Sequence, residues 1–228
     1  MKKILAIVAH PDDEIIGVGG TLCKHIDAGD TVRVVILGDG KSSRKDKYEK
    51  LGNEKIEDLD NETKAALSEL GITDFSKHFL PDNRFDSMEI LDLVKIVSKY
   101  IRDFRPEIVY THHFGDLNVD HKMCSEAVVI SCRPNENESV KQILMFETLS
   151  STEMAGYEIN NAFSPNYFVR IEKQLDRKIK SLSYYKSELH DYPHPRSLES
   201  VKINAQLWGT KINSYAVEAF SLFRGIVE

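Results

Sequence analysis

Hydrophobic and polar positions fall into two alternating regimes along this chain. Short, near-continuous apolar runs at Ile4–Ala9 and Thr31–Leu37 read as strands covered on both faces, and Gly19–Ala28 between them has room for a crossover helix. That succession predicts a parallel, right-handed βαβ unit. A long polar excursion follows, and a helix is expected to restart at Asn61, whose side chain can cap, and to stop at Gly71. Next come a short strand near His78–Leu80 and the polar loop Pro81-Asp82-Asn83-Arg84. Ser87 is expected to cap an amphipathic helix with Ile90, Leu91, Val94, Val97 and Ile101 on one face, ending before Pro106. Further strands are expected at Glu107–Thr111, Gln142–Glu147, near Tyr167–Val169 and near Ala216–Phe220. The intervening patterns predict helices over Asp120–Ser131, Glu172–Ser187 and Leu198–Asn213. The order predicts an α/β fold of Rossmann-like, three-layer type with a mostly parallel central sheet, as one domain over residues 1–228.

Composition narrows the function. Lys plus Arg is 30 against 36 Asp plus Glu, a net charge of −6, so no basic field exists to hold a nucleic-acid backbone. The apolar runs are strand-sized, well short of the roughly 20 residues that span a bilayer. After Met1-Lys2-Lys3 the apolar stretch stops at an acidic cluster, unlike a signal peptide, and the reading is a cytoplasmic protein. Three widely spaced cysteines, Cys23, Cys124 and Cys132, read as small core residues rather than a disulfide or zinc framework. The run Lys41–Lys50 carries five basic and two acidic residues and reads as a solvated loop.

Two clusters carry chemistry, and both lie where strands are expected to end. The first is Ala9-His10-Pro11-Asp12-Asp13-Glu14. Three carboxylates and an imidazole so close together repel unless a cation sits among them. In a helical turn His10 and Asp13 stand about 5–6 Å apart at Cβ, so both can reach one ion. Imidazole and carboxylate suit zinc and also accept other first-row divalent ions. Asp12, pointing elsewhere, has the position a general base needs. The second cluster runs from Thr111-His112-His113 to Asn118-Val119-Asp120-His121, and His121 at a helix start can supply a third ligand. Two His and one Asp leave coordination open, as in a catalytic site.

The AHPDDE stretch after the first strand, with the later Asn118-Val119-Asp120-His121, resembles the LmbE-like (PIG-L) family of zinc-dependent de-N-acetylases. Phe146-Glu147 and Glu218-Ala219-Phe220 extend the likeness along the chain. The resemblance implies His10, Asp13 and His121 as zinc ligands, Asp12 as base, and a small amino-sugar substrate of N-acetylglucosamine type. Many members carry a histidine at the position of Asn118, where it stabilises the oxyanion; an amide donates a hydrogen bond but shuttles no proton. Asn118 is therefore the expected oxyanion donor, with protonated Asp12, His194 or His113 as the acid. Arg84, His113 and Asp120 are the candidates for substrate contact, Arg84 as a planar fork for hydroxyls or an anionic aglycone. The reading allows a homo-oligomer.

Three alternatives compete, the first being an amidase that cleaves a larger thiol-sugar conjugate with the same machinery. Gly17, Gly19 and Gly20 suggest a dinucleotide loop, but a pyrophosphate would sit beside Asp12, Asp13 and Glu14, and the glycines come late after the strand. A metal-binding protein without catalysis would not need Asp12.

Overall fold

The computed structural model describes residues 1–42, 53–134, 139–156 and 162–227, with the backbone alone for 53–57. The run Lys41–Lys50 lies outside the described residues apart from Lys41 and Ser42. Strands β1 (Lys3–Val8), β2 (Thr31–Gly38), β3 (Asp74–Leu80), β4 (Ile108–His112), β5 (Gln142–Phe146), β6 (Tyr167–Arg170) and β7 (Val217–Gly225) form one sheet in the order β3-β2-β1-β4-β5-β7-β6. β1 to β5 pair in parallel, and β7 is antiparallel to both β5 and β6. The mostly parallel sheet of the sequence reading is thus observed, with one reversed strand, β7, between β5 and the edge strand β6.

Residue alternation in β1 explains the layers. Ile4, Ala6 and Val8 join one apolar cluster with Ile15, Val18 and Leu22 of α1 (Asp13–Asp27) and Leu59, Ala66 and Leu67 of α2 (Asn53–Glu69). Leu5, Ile7 and Ala9 point to the other face, toward Leu93 and Val97 of α3 (Ile90–Phe104) and Ala127 and Val128 of α4 (Val119–Ser131). Helices α5 (Leu175–Leu182) and α6 (Leu198–Thr210) cover the first face toward β7, through Leu182 and Val201. Among the described residues no helix is long and apolar enough to cross a membrane.

Several element boundaries differ from the periodicity. α1 starts at Asp13, not Gly19, because its glycines make close packing: a Cβ on Gly17 would lie 2.1 Å from the Phe146 ring, and one on Gly20 2.8 Å from Ile171. Asn61 lies within α2 and caps nothing. Ser87 belongs to a short 3-10 turn, donating to the Arg84 carbonyl at 2.6 Å, and α3 starts after Glu89 with no side-chain cap. With that start the buried stripe is Leu93, Val97 and Phe104, and Leu91 is 54% exposed. α5 is shorter than Glu172–Ser187, because the chain turns after Leu182 to bury Tyr185.

Strand order places β1 and β4 side by side although their connections leave in opposite directions, β1 toward β2 and β4 toward β5. Ligands of open α/β sheets bind at the carboxyl ends of such a pair. The residues after β1 and after β4 are the two clusters.

Candidate active site

Asp13, the first residue of α1, is the meeting point. Its Oδ2 accepts the His10 backbone N–H at 2.8 Å and lies 3.5 Å from His10 Nδ1, 3.3 Å from His121 Nε2 and 3.5 Å from His112 Nε2. All four residues are buried. Burial opposes charge on Asp13, but His121 and His112 beside it hold the carboxyl well below its usual range. Burial also opposes charge on His121, yet Asp13 and Asp116 raise it to about 9. For His10, hydrogen bonds to Asp120, Asp13 and Asp82 overcome burial and hold the imidazole well above its ordinary value. His112 goes the other way, down to about 3, through burial and the neighbouring His121. Its ring stacks on His121 with centroids 4.0 Å apart, and Nε2 accepts the Ala9 N–H at 2.9 Å, tying the end of β1 to β4.

A cation fits this cluster. His10, Asp13 and His121 each offer a ligand atom within 4.8 Å of the others, while His121 Nε2 and Asp13 Oδ1 are buried without a hydrogen-bond partner. Unsatisfied buried donors and acceptors of this kind are costly unless something fills the space between them. A second grouping, His10, Asp82 and Asp120, is equally tight, but Asp120 is occupied: Oδ1 accepts Phe85 N–H at 2.9 Å and Oδ2 accepts Asn83 N–H at 2.6 Å besides His10 Nε2 at 2.9 Å. The first set is the better ion site. Behind it stand the carboxylates that orient its imidazoles. Asp82 Oδ1 lies 3.0 Å from His10 Nε2, and Asp116 Oδ2 lies 3.2 Å from His121 Nδ1. Asp116 is held by the hydroxyls of Ser151 and Thr152, and its pKa falls to about 2 because His121 and those hydroxyls outweigh burial.

Asp12 behaves unlike Asp13. It precedes α1 with φ 97°, a backbone angle that few side chains adopt, and that turn separates the two neighbouring carboxyls. It is 1% exposed, and among the described residues neither side-chain oxygen has a hydrogen-bond partner. Burial lifts its pKa to about 7, against the pull of Arg196, whose Nη1 is 3.4 Å from Oδ2. Glu14, buried beside it, rises to about 8 through burial although Tyr185 donates to it.

The remaining expected residues spread around this centre. Arg84 is exposed, in a loop pinned to the cluster by the Asn83 and Phe85 N–H bonds to Asp120. Asp120, expected at the substrate, is fully buried with both oxygens in use, and so anchors that loop and His10. His113 is buried too, its ring against Phe114 and Phe163, and does not line an open face. Asn118 caps α4: Oδ1 accepts Asp120 N–H at 2.8 Å, and Nδ2 donates to Asn83 Oδ1 at 3.2 Å. The C-terminal loop reaches Asp12 with Arg196, not with His194, whose ring packs 4.0 Å from His190. Sequence reasoning missed Asp82, Asp116 and Arg196. Asp116 lies within the second cluster and Asp82 in the polar loop just after β3, both near strand ends, a placement signal that was available; Arg196 had none, because only the tertiary fold brings it to Asp12.

Comparison with known proteins agrees with the geometry. A family model described as PIG-L, GlcNAc-PI de-N-acetylase, matches residues 5–132. An uncharacterized deacetylase of Escherichia coli, YaiS, is 29% identical over 192 residues, covering 82% of this chain and 91% of that protein. The diacetylchitobiose deacetylase of Thermococcus kodakarensis is 30% identical over 206 residues, covering 82% and 70%. Among solved structures, the N,N'-diacetylchitobiose deacetylase of Pyrococcus horikoshii superposes with a TM-score of 0.78 at 23% identity, covering 98% of this chain and 84% of its own, which speaks for the fold alone.

Proposed function

The chain belongs to the PIG-L (LmbE-like) family of deacetylases, amide-bond hydrolases, and from that premise we propose that it removes the acetyl group of an N-acetylated amino sugar of N-acetylglucosamine type. His10, Asp13 and His121 would hold one divalent ion, zinc foremost, which when bound supplies Lewis acidity and an acidified water. Asp12 takes the proton of the attacking water at a carboxylate oxygen and returns it to the departing amine nitrogen. Water and acetamide are consumed; acetate and free amine leave.

The observation that carries this reading is the split between the adjacent carboxyls: Asp13 Oδ2 lies within 3.5 Å of three imidazoles, while Asp12 is buried away from them with no hydrogen bond among the described residues, and burial lifts its pKa to about 7. Titratable neighbours whose environments push them apart mark acid and base assignments. Arg84, exposed on its pinned loop, is our candidate for sugar hydroxyls or an anionic aglycone. Asn118 would serve the oxyanion through Nδ2, the amide's only donor, which here meets Asn83 Oδ1 at 3.2 Å.

The substrates of curated relatives guide the test: diacetylchitobiose, the glucosaminide of inositol and that of malate, the last two as their N-acetyl compounds. Incubated with these and a nucleotide-linked N-acetylglucosamine in the presence of zinc, the protein is expected to release acetate and free amine in equal amounts from at least one. Release from none would overturn the proposal.

A further inference from the structure

Arg196 lies beyond residues 5–132, in the loop ahead of α6, and its side chain is 20% exposed. We propose that Arg196 is a positioning residue that holds the Asp12 carboxyl in its working orientation; this rests on the reading of Asp12 as the base. Three observations converge on it. Among the described residues Asp12 has no hydrogen bond to either side-chain oxygen, and its φ of 97° takes its backbone out of the regular helix start, with no side-chain cap bond to fix it. Arg196 Nη1, 3.4 Å from Asp12 Oδ2, makes the only ion pair to Asp12 among the described residues. The guanidinium is itself held: Glu188 Oε2 lies 3.9 Å from the same Nη1, and the backbone of the loop is fixed at both sides. Arg196 N–H donates to His194 Nδ1 at 3.1 Å, and Ser197 Oγ caps α6 by accepting Ser200 N–H at 3.0 Å.

Arginine suits this duty because it is planar and permanently charged, so it aligns a carboxylate without exchanging a proton with it. Its Nε is also buried without a hydrogen-bond partner among the described residues. The C-terminal segment therefore reaches a site whose candidate ligands and candidate base all come from the first 121 residues of the chain.

A double-mutant cycle separates positioning from mere packing. Arg196→Ala is expected to lower kcat about 10- to 100-fold, the cost of a misplaced catalytic group, with KM changed less than about threefold and metal content unaltered. In the Asp12→Asn background the same change should cost less than about twofold, because a residue acting through Asp12 has nothing left to position. Arg196→Lys should recover part of the rate. The cycle is also read without turnover, on the thermal midpoint of the metal-free protein at pH 8. There Arg196→Ala should lower the midpoint by about 3–6 °C beside the parent Asp12 and by about 1 °C or less beside the asparagine.

Equal losses in both backgrounds, in rate or in midpoint, would overturn the proposal, as would a rise in KM at unchanged kcat. Failure of the broader reading looks different. A parent protein inactive on every substrate contradicts the deacetylase assignment while the midpoint cycle still decides for or against the Arg196–Asp12 pairing. Parent-like kcat in Asp12→Asn alone contradicts the base, and this proposal with it.

Discussion

Side by side in sequence, Asp12 and Asp13 have opposite surroundings: imidazoles crowd Asp13, while Asp12 pairs only with the Arg196 guanidinium among the described residues, and the proposed roles follow that split. Asp12→Asn is expected to retain the metal and lose about 10²–10⁴-fold in kcat, the usual weight of a positioned general base. Metal loss equal to the activity loss, read by elemental analysis, would make Asp12 a ligand instead. The imidazoles make a second prediction. In the metal-free protein His121, raised to about 9, and His10, raised well above its ordinary value, carry protons at neutral pH. Only neutral imidazole ligates a metal, so binding at pH 7 must expel those protons, and affinity should climb as pH rises toward about 9. The stability of the metal-free fold moves the other way. The folded pKa of His121 exceeds the unfolded value near 6.5, so its contribution is complete below that value and is lost as pH rises through about 9. Calorimetric titration with zinc in buffers of different ionisation heat should count about one to two protons released per chain. No release would contradict the charged cluster.

At the scale of elements, the site is built from helix starts. α1 brings Asp13 to the end of β1, and its close approach to β5 requires the hydrogen side chain of Gly17. Gly17→Ala should cost about 1–3 kcal/mol by overpacking against Phe146, seen as a lower denaturation midpoint, unless the ring can move aside. α4 brings His121 into place under the Asn118 cap. Asn118→Ala should cost about 1 kcal/mol of stability, with Asn118→Asp or Asn118→Ser restoring most of it. The kcat of Asn118→Ala then decides its second role: a drop of about 10²-fold places Nδ2 on the oxyanion, and a near-parent rate leaves it a cap. The strands and the two clusters were legible in the sequence because apolar runs and dense carboxylate–histidine groups are local signals. The start of α1 was not. Glycines at 17, 19 and 20 carry a helix penalty near 1 kcal/mol each, and only packing against Phe146 and Ile171 explains why the helix runs through them. Ser87 and Asn61 have the chemistry of caps without the position, since a cap is decided by where the chain enters the helix.

The whole molecule supplies what no local pattern holds. Sheet order brings the end of β1 next to the end of β4, so His10 and His121, far apart in sequence, meet across Asp13. The loop after β3 contributes Asp82 and, through Asp120, the anchoring of Arg84; the loop before α6 contributes Arg196. The candidate ligands His10, Asp13 and His121 were suggested by residue type, spacing and family resemblance, and the fold brings them together; the carboxylates behind the imidazoles and the arginine beside Asp12 are properties of the folded chain. The central claim is that this buried cluster is a metal-dependent deacetylase site, and the direct test is acetate release before and after chelation. For the substrate that the panel identifies, removal of metal should abolish release and one equivalent of zinc per chain should restore it, with no restoration in His121→Ala. Undiminished release from metal-free protein would contradict the account.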